Sequence, residues 1–217
     1  MPLTIIPVTT KKEMKQFICF NYALYKDSPY AVPELYTDVR DTLDPNKNAA
    51  FEFCEAQPFI ALRDGKVVGR IVAIINHKAN SVWNKKAVRF GWVDFIDDVE
   101  VVDALFATVE QWGRERGMTE AHGPLGFTDF DPEGMLVEGF DRIGTMATIY
   151  NYPYYPVHLE RMGYVKDVDW MEYLLTAPEA LPEKHARITR LVKEQYGLRV
   201  VTYTSHSKRA CEGGLAI

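Results

Sequence analysis

Apolar residues in PFIALRDGKVVGRIVAII, residues 58–75, fall into two runs on either side of Asp64-Gly65. Gly accepts a positive φ at no steric cost, so this arrangement predicts a β-hairpin. A third run, AVRFGWVDFI at 87–96, predicts another strand. The spacing then changes. Val99, Val102, Leu105, Phe106, Val109 and Trp112 recur at three- and four-residue steps, one face of a helix over 99–117 that Gly117 can close. The next strand-like piece starts near Glu120, and a helix between two strands is how a parallel pair is made. The remaining segments are expected to pack on this unit.

The flanks give weaker patterns. LTIIPVT, 3–9, predicts a short strand, and Thr9 or Thr10 can cap a helix over 11–26 with Met14, Phe17, Ile18, Tyr22 and Leu24 or Tyr25 on its buried side. Asp27-Ser28-Pro29 ends that helix, because the residue before Pro is pushed out of the helical region. Pro33 suits the first turn of a short helix over 33–43, and Asp44-Pro45-Asn46 is turn chemistry. EAHGPLGF, 120–127, predicts a strand that breaks at Gly123-Pro124. Residues 128–145 are rich in Gly and Asp with few periodic apolar positions, and a loop of that length inside a domain is usually functional or disordered. A short helix follows at about 154–162. VKDVDWMEYLLTA, 165–177, alternates as a strand does, residues 178–182 read as a linker, 183–197 as a helix and 198–204 as a strand. The last 13 residues carry no usable pattern.

Composition narrows the class. The chain has 217 residues, 47% hydrophobic and 25% charged, ordinary values for one generous domain or a domain plus a fragment. Its net charge of −5 comes without a basic stripe, so nucleic acid is not an expected partner. Cys19, Cys54 and Cys211 are odd in number and far apart, which argues against a disulfide framework and suits a reducing compartment. The five His residues show no ligand-like spacing, so no metal is expected. There is no secretory h-region and no run approaching the roughly 18 apolar residues of a membrane span. A cytoplasmic, soluble protein is expected.

Four separated segments, FNYALYKDSPYAVPEL (20–35), DPNKNAAFEFCEAQPFIALRDGKVVGRI (44–71), GPLGFTDFDPEGMLVEGFD (123–141) and YNYPYYPVHLERMGYVKDVDW (150–170), agree in order with one family. On these the chain resembles the GCN5-related N-acetyltransferase (GNAT) superfamily, and more closely a bacterial GNAT-like group in which some members carry two such units in tandem. The resemblance implies an α/β (α+β) fold, a mixed, mostly antiparallel sheet flanked by helices and splayed between its fourth and fifth strands. Acyl-CoA would lie in that splay.

The resemblance also implies site residues. Backbone N–H groups at a helix N-terminus hold the CoA pyrophosphate, which here would draw on Ile96, Val99 and Val101. This loop lacks the family's Gly residues and carries Asp97, Asp98 and Glu100 instead. Asp97 or Asp98 is a natural N-cap, and with Asp97 in that place Glu100 completes a capping box. The family's thiolate-protonating tyrosine lies four residues before a Gly-Phe pair. Gly163-Tyr164 stands for that pair here, and the fourth residue back is Leu159. Tyr154 and Tyr155, one turn earlier, are the substitutes, or else simply packing residues.

Candidates for the base are Asp94, His122, Asp129, Asp131 and Glu133. Asp94 follows Trp92 by two, so both point to one face of the strand, and a buried carboxylate there can have a raised pKa. Alternatively Asp94 sits at the strand end in solvent and His122 is a hydrogen-bonded structural residue. Asp129, Asp131 and Glu133, among the glycines of the long loop, are either substrate contacts with Tyr150 and Asn151 or solvated turn formers. A pocket is expected between the strand ends at Asp94 and His122.

Two functions are weighed. One is an acyltransferase moving an acyl group from acetyl-CoA, another acyl-CoA or another acyl thioester to an amine of a small molecule or protein. The other is a GNAT-shaped binding or interaction module that has lost the cofactor loop. The expected organisation is a GNAT-like domain over 1–178 and an extension over 179–217 resembling the start of a second unit. A homodimer is left open.

Overall fold

In the computed structural model, which describes residues 2–145 and 148–202, Asp64 and Gly65 both take positive φ, 54° and 74°. That is the two-residue turn whose twist matches the strands on either side. It joins β2 (Cys54–Arg63) to β3 (Lys66–Asn76), with Arg63 opposite Lys66. β1 (Thr4–Pro7) pairs antiparallel with β2, and β4 (Ala87–Phe95) pairs antiparallel with β3. β5 (Glu120–His122) lies parallel to β4, reached through α4 (Val99–Arg114). The sheet order is therefore β1-β2-β3-β4-β5.

Both faces of the sheet are covered. Ile71, Ala73 and Ile75 of β3 pack with Val101, Val102, Leu105, Phe106 and Val109 of α4, and with Tyr155 and Leu159 of a helix at Tyr154–Arg161. The alternate residues Val72 and Ile74 pack with Phe17 and Ile18 of α1 (Lys11–Leu24) and with Val39 of α2 (Tyr36–Thr42). A strand buried on both faces reads as a continuous apolar run. Val99 is the exception on the predicted helix face. It is the first residue of α4 and stands half exposed.

The helix starts explain the local sequence. Thr10 caps α1, accepting from Glu13 N–H while Glu13 accepts from Thr10 N–H, a full capping box. At α4 the cap is Asp98, which accepts from Val101 N–H at 3.2 Å, a contact worth about 1 kcal/mol. Glu100 thus falls at the second helical position, and no capping box forms there. Helix 11–26 stops at Leu24, and the helix expected from Pro33 starts at Tyr36. The strand over 120–127 keeps only three residues before the cis bond Gly123-Pro124. α3 (His77–Trp83) was not expected. Asn76 caps it and Asn84, at φ 50°, ends it. α5 is the helix at Tyr154–Arg161.

Two compact units are distinguished, Met1–Trp170 and Met171–Ile217. The second contains α6 (Glu183–Tyr196), closed by Gly197 in the left-handed region, with no buried residue. The strand expected over 165–177 does not form. Val165, Val168, Trp170, Met171 and Tyr173 are exposed, and no described residue pairs with them. Residues 198–202 are likewise not a strand, while 203–204 and the tail 205–217 lie outside the described residues.

Candidate functional site

β4 is irregular where it matters. Arg70 faces Asp94 and Val72 faces Gly91, so Trp92 and Val93 together oppose Ile71. Trp92 takes φ 44°, rare for a bulky residue. Such a bulge bends a strand and re-aims its side chains. β5 keeps pace with β4 only as far as Arg89, opposite His122, and the chain then turns away with Leu125 N–H on Phe90 O at 2.8 Å. A Cβ on Gly91 would stand 2.5 Å from Leu125 O, so this close approach needs glycine. Beyond it the outer edge of β4 has no strand partner among the described residues.

Tyrosines occupy that edge. Phe95 N–H donates to Tyr155 Oη at 3.1 Å, and Tyr154 Oη donates to Phe95 O at 2.7 Å. The Tyr155 ring stacks on Phe95 with centroids 4.1 Å apart. Both phenols come from the first turn of α5.

Behind them lies a buried polar cluster. Asp94 is 3% exposed and has four donors within reach: Arg70 Nε at 2.6 Å, Asn21 Nδ2 at 3.0 Å, Tyr25 Oη at 2.9 Å and Tyr155 Oη at 3.2 Å. Tyr25 and Tyr155 Oη also lie 2.8 Å apart, and with one proton each the two phenols make two of these three contacts at a time. Burial, followed by the neighbouring Asp94 charge, pushes both phenol pKa values well up. Arg70 is 2% exposed, and its Nη2 reaches Glu34 Oε2 at 3.4 Å. Trp92 Nε1–H donates to Glu34 Oε1 at 3.0 Å. Burial raises the Glu34 carboxyl above its ordinary value, against the opposing pull of Arg70. Trp92 and Asp94 do share one face of the strand, as their spacing implied.

The start of α4 carries its own counter-ions. Arg63 holds Asp98 at 2.5 Å and Glu100 at 2.6 Å, and Asp97 Oδ1 lies 2.7 Å from His158 Nε2, whose N–H it can accept. Ile96 N–H is bound to Val68 O and Val101 N–H to Asp98, so two of the three expected backbone donors are taken. Three carboxylates at this end do not fit a pyrophosphate, which needs free N–H groups and positive charge.

The other candidates are scattered. His122 is partly exposed and pairs with Asp167 at 3.1 Å, away from the cluster. Asn151 is buried with its amide spent on Leu136 N–H, Leu136 O and Tyr152 O, a clamp on the long loop. Tyr150 donates to Phe140 O and sets its ring against Tyr25. Asp129 is exposed, and Glu133, raised by burial and then by Asp129, bridges to Thr148. Asp131 accepts from Thr128 N–H and lines a cleft of about 560 Å³ with Asp38, Asp41, Lys47 and Phe127. That cleft includes neither Asp94 nor His122. Among the described residues no group of His, Cys, Asp and Glu is arranged to hold a metal ion.

Arg70, Glu34, Tyr25 and Asn21 are not among the candidate site residues, although Tyr25 is one of two choices for the buried side of helix 11–26. Arg70 alone left a signal, a single charge inside the apolar run VVGRIVAII. A buried charge requires a partner, and Asp94 is the one candidate carboxylate on the neighbouring strand.

A mostly antiparallel sheet whose parallel fifth strand leaves the fourth is the GNAT-like fold that the resemblance implied. A solved tandem GNAT protein from the clavulanic acid biosynthesis pathway matches with a TM-score of 0.50 at 15% identity, over 75% of this chain and 43% of that one. In sequence the chain is similar to two bacterial proteins. Protein YghO of Escherichia coli (strain K12) is 33% identical over 166 residues, 75% of this chain and 42% of the relative. The bacterial ceramide synthase of Caulobacter vibrioides (strain NA1000 / CB15N) is 33% identical over 182 residues, 83% of this chain and 47% of the relative. The chain thus spans somewhat under half the length of the curated relatives it matches. No protein-family model matches it. Among the described residues no helix is long and apolar enough to cross a membrane.

Proposed function

We propose that this chain is the acyl-transferring unit of an N-acyltransferase, moving an acyl group from an acyl thioester to an amine of a small molecule or protein. The observation that carries this reading is the edge of β4 beyond Gly91, which has no strand partner among the described residues and where two phenols take the Phe95 N–H and C=O in front of a buried carboxylate cluster. Similarity to a protein named as a ceramide synthase supports it, since a ceramide is an amide of a long-chain amine.

In the proposed step the amine nitrogen attacks the thioester carbonyl carbon. The carbon–sulfur bond breaks, the amide forms, and the departing sulfur takes up the proton that the amine loses. The step calls for backbone N–H donors on the carbonyl oxygen, which act strongly where water is excluded. Asp94 is buried and ringed by Arg70, Asn21, Tyr25 and Tyr155, so its role is to position the two phenols. Tyr154 is less buried, and burial keeps its pKa high, so it remains a hydrogen-bond donor at neutral pH. We take residues 1–178 as the transferring domain and 179–217 as an extension to it.

The donor's carrier is not gripped at the start of α4. Acyl-CoA and the same acyl group on pantetheine, which lacks the pyrophosphate, are therefore expected to give kcat/KM values within about threefold of each other for amine-dependent thiol release. A preference for acyl-CoA above about 100-fold, roughly 2.7 kcal/mol, would show that the pyrophosphate is bound after all. The carboxylate-ringed helix start also supports a second reading, a non-catalytic module. It is favoured if neither thioester releases thiol when an amine is added.

A further inference from the structure

α3 is a helix that buries none of its residues. It is nevertheless held firmly. Asn80 Nδ2 donates to Ala87 O at 3.0 Å, Asn80 Oδ1 accepts from Ala87 N–H at 3.4 Å, and Lys85 N–H returns to Asn80 O at 2.9 Å. On this support Val82 and Trp83 stand 68% and 73% exposed. A tryptophan is usually well covered in a folded chain, so one held out beside a valine at the end of a helix is an apolar tip without a cover. Lysines surround it. Lys78 on the helix and Lys85 and Lys86 just after it are all exposed. The chain has 30 acidic residues against 25 basic ones, yet no Asp or Glu falls between Asp64 and Asp94. Two carboxylates from other strands approach this end. Glu55 is already held, by His77 at 2.8 Å and by Arg116 at 3.2 Å. Glu120 lies opposite Ala87 on β5.

We propose that α3 and the turn after it, residues 77–86, form the face by which this protein docks on a bilayer carrying anionic lipids. A bilayer offers the two layers that this face matches, phosphates outside and hydrocarbon just behind them. Lys78, Lys85 and Lys86 meet the phosphates, and each lysine near such a surface strengthens binding about fivefold. Trp83 and Val82 enter the headgroup boundary, where an indole keeps its N–H wet and its ring out of water. The protein lies on the bilayer and does not cross it. With so few residues engaged, the contact is reversible and salt-dependent. It does not rest on the acyl-transfer reading, since none of its residues takes part at the edge of β4.

The test uses the full chain and co-sedimentation with vesicles of phosphatidylcholine, either pure or with about a third phosphatidylglycerol. Partitioning should be at least tenfold stronger on the anionic vesicles and should fall at least fivefold when salt is raised from about 0.1 M to 0.5 M. Lys85→Glu/Lys86→Glu should remove the preference for anionic vesicles. Brominated lipid in the anionic vesicles should quench tryptophan emission, and Trp83→Phe should lose most of that quenching although Trp92, Trp112 and Trp170 remain. Equal partitioning on the two kinds of vesicle, an unchanged preference in the lysine variant, or quenching that survives Trp83→Phe each overturns the proposal. Polyglutamate bound as tightly as the anionic vesicles, with no quenching by brominated lipid, would assign the face to an acidic macromolecule and overturn it too. The substituted side chains are all exposed, and if a variant still fails to fold, wild-type partitioning and quenching decide alone.

Discussion

Arg70→Met is expected to lower the free energy of unfolding by about 3–5 kcal/mol, measured by urea denaturation. The side chain it removes is 2% exposed and is the only cation among the described partners of Asp94, itself 3% exposed. Methionine fills much of the volume but leaves a buried carboxylate facing Asn21 and two phenols. Taking one partner from a buried pair costs more than the pair contributes, because the remaining charge stays out of water. The double variant Arg70→Met/Asp94→Asn should therefore recover a large share of the loss. If the double variant is no more stable than Arg70→Met, the cost lies in packing of the guanidinium over Phe17, 5.0 Å from its ring centroid, and not in the lone charge.

Phe106→Ala should cost a similar amount, about 3–5 kcal/mol, through a different mechanism. Phe106 is 1% exposed and its ring meets Phe90 at 5.0 Å, Tyr164 at 5.4 Å and Phe95 at 6.4 Å. It ties α4 to the strand that carries the bulge. Truncation leaves a cavity beneath Phe95, on which Tyr155 is stacked. Phe106→Leu, which keeps most of the apolar volume, should lose less than half as much in the same urea titration. Equal losses for Ala and Leu would mean that the edge-on ring contacts, rather than the filled volume, hold this part of the core together.

These two residues also mark how far the sequence could be read. Phe106 falls on the predicted helix face because helical periodicity is local: positions three and four apart share a face whatever packs on it. The β2–β3 turn is legible for the same reason, since Asp-Gly needs only its own φ values. The polar cluster is not. Glu34, Arg70 and Asp94 lie on a loop, on β3 and on β4, and only strand register brings them together. The bulge at Trp92 has no sequence mark at all. α3 gives no signal because none of its residues is buried, so there is no apolar period to find. The segment 165–177 fails in the opposite way. Alternation specifies two faces of a strand but not a neighbour to bond with, and no described residue supplies one. At α4 two adjacent aspartates compete for one cap. Asp98 takes it and is also held by Arg63, an ion pair that joins the end of β2 to the helix start.

The central claim, acyl transfer from a thioester to an amine at the edge of β4 beyond Gly91, is tested most directly by mass. The protein is incubated with a ¹³C-labelled acyl thioester and a primary alkylamine, and the products are resolved by mass spectrometry. The account predicts a labelled amide formed in step with released thiol, and lost when the amine is left out. Labelled free acid as the only product, or no thiol release above the buffer rate from folded protein, would contradict it.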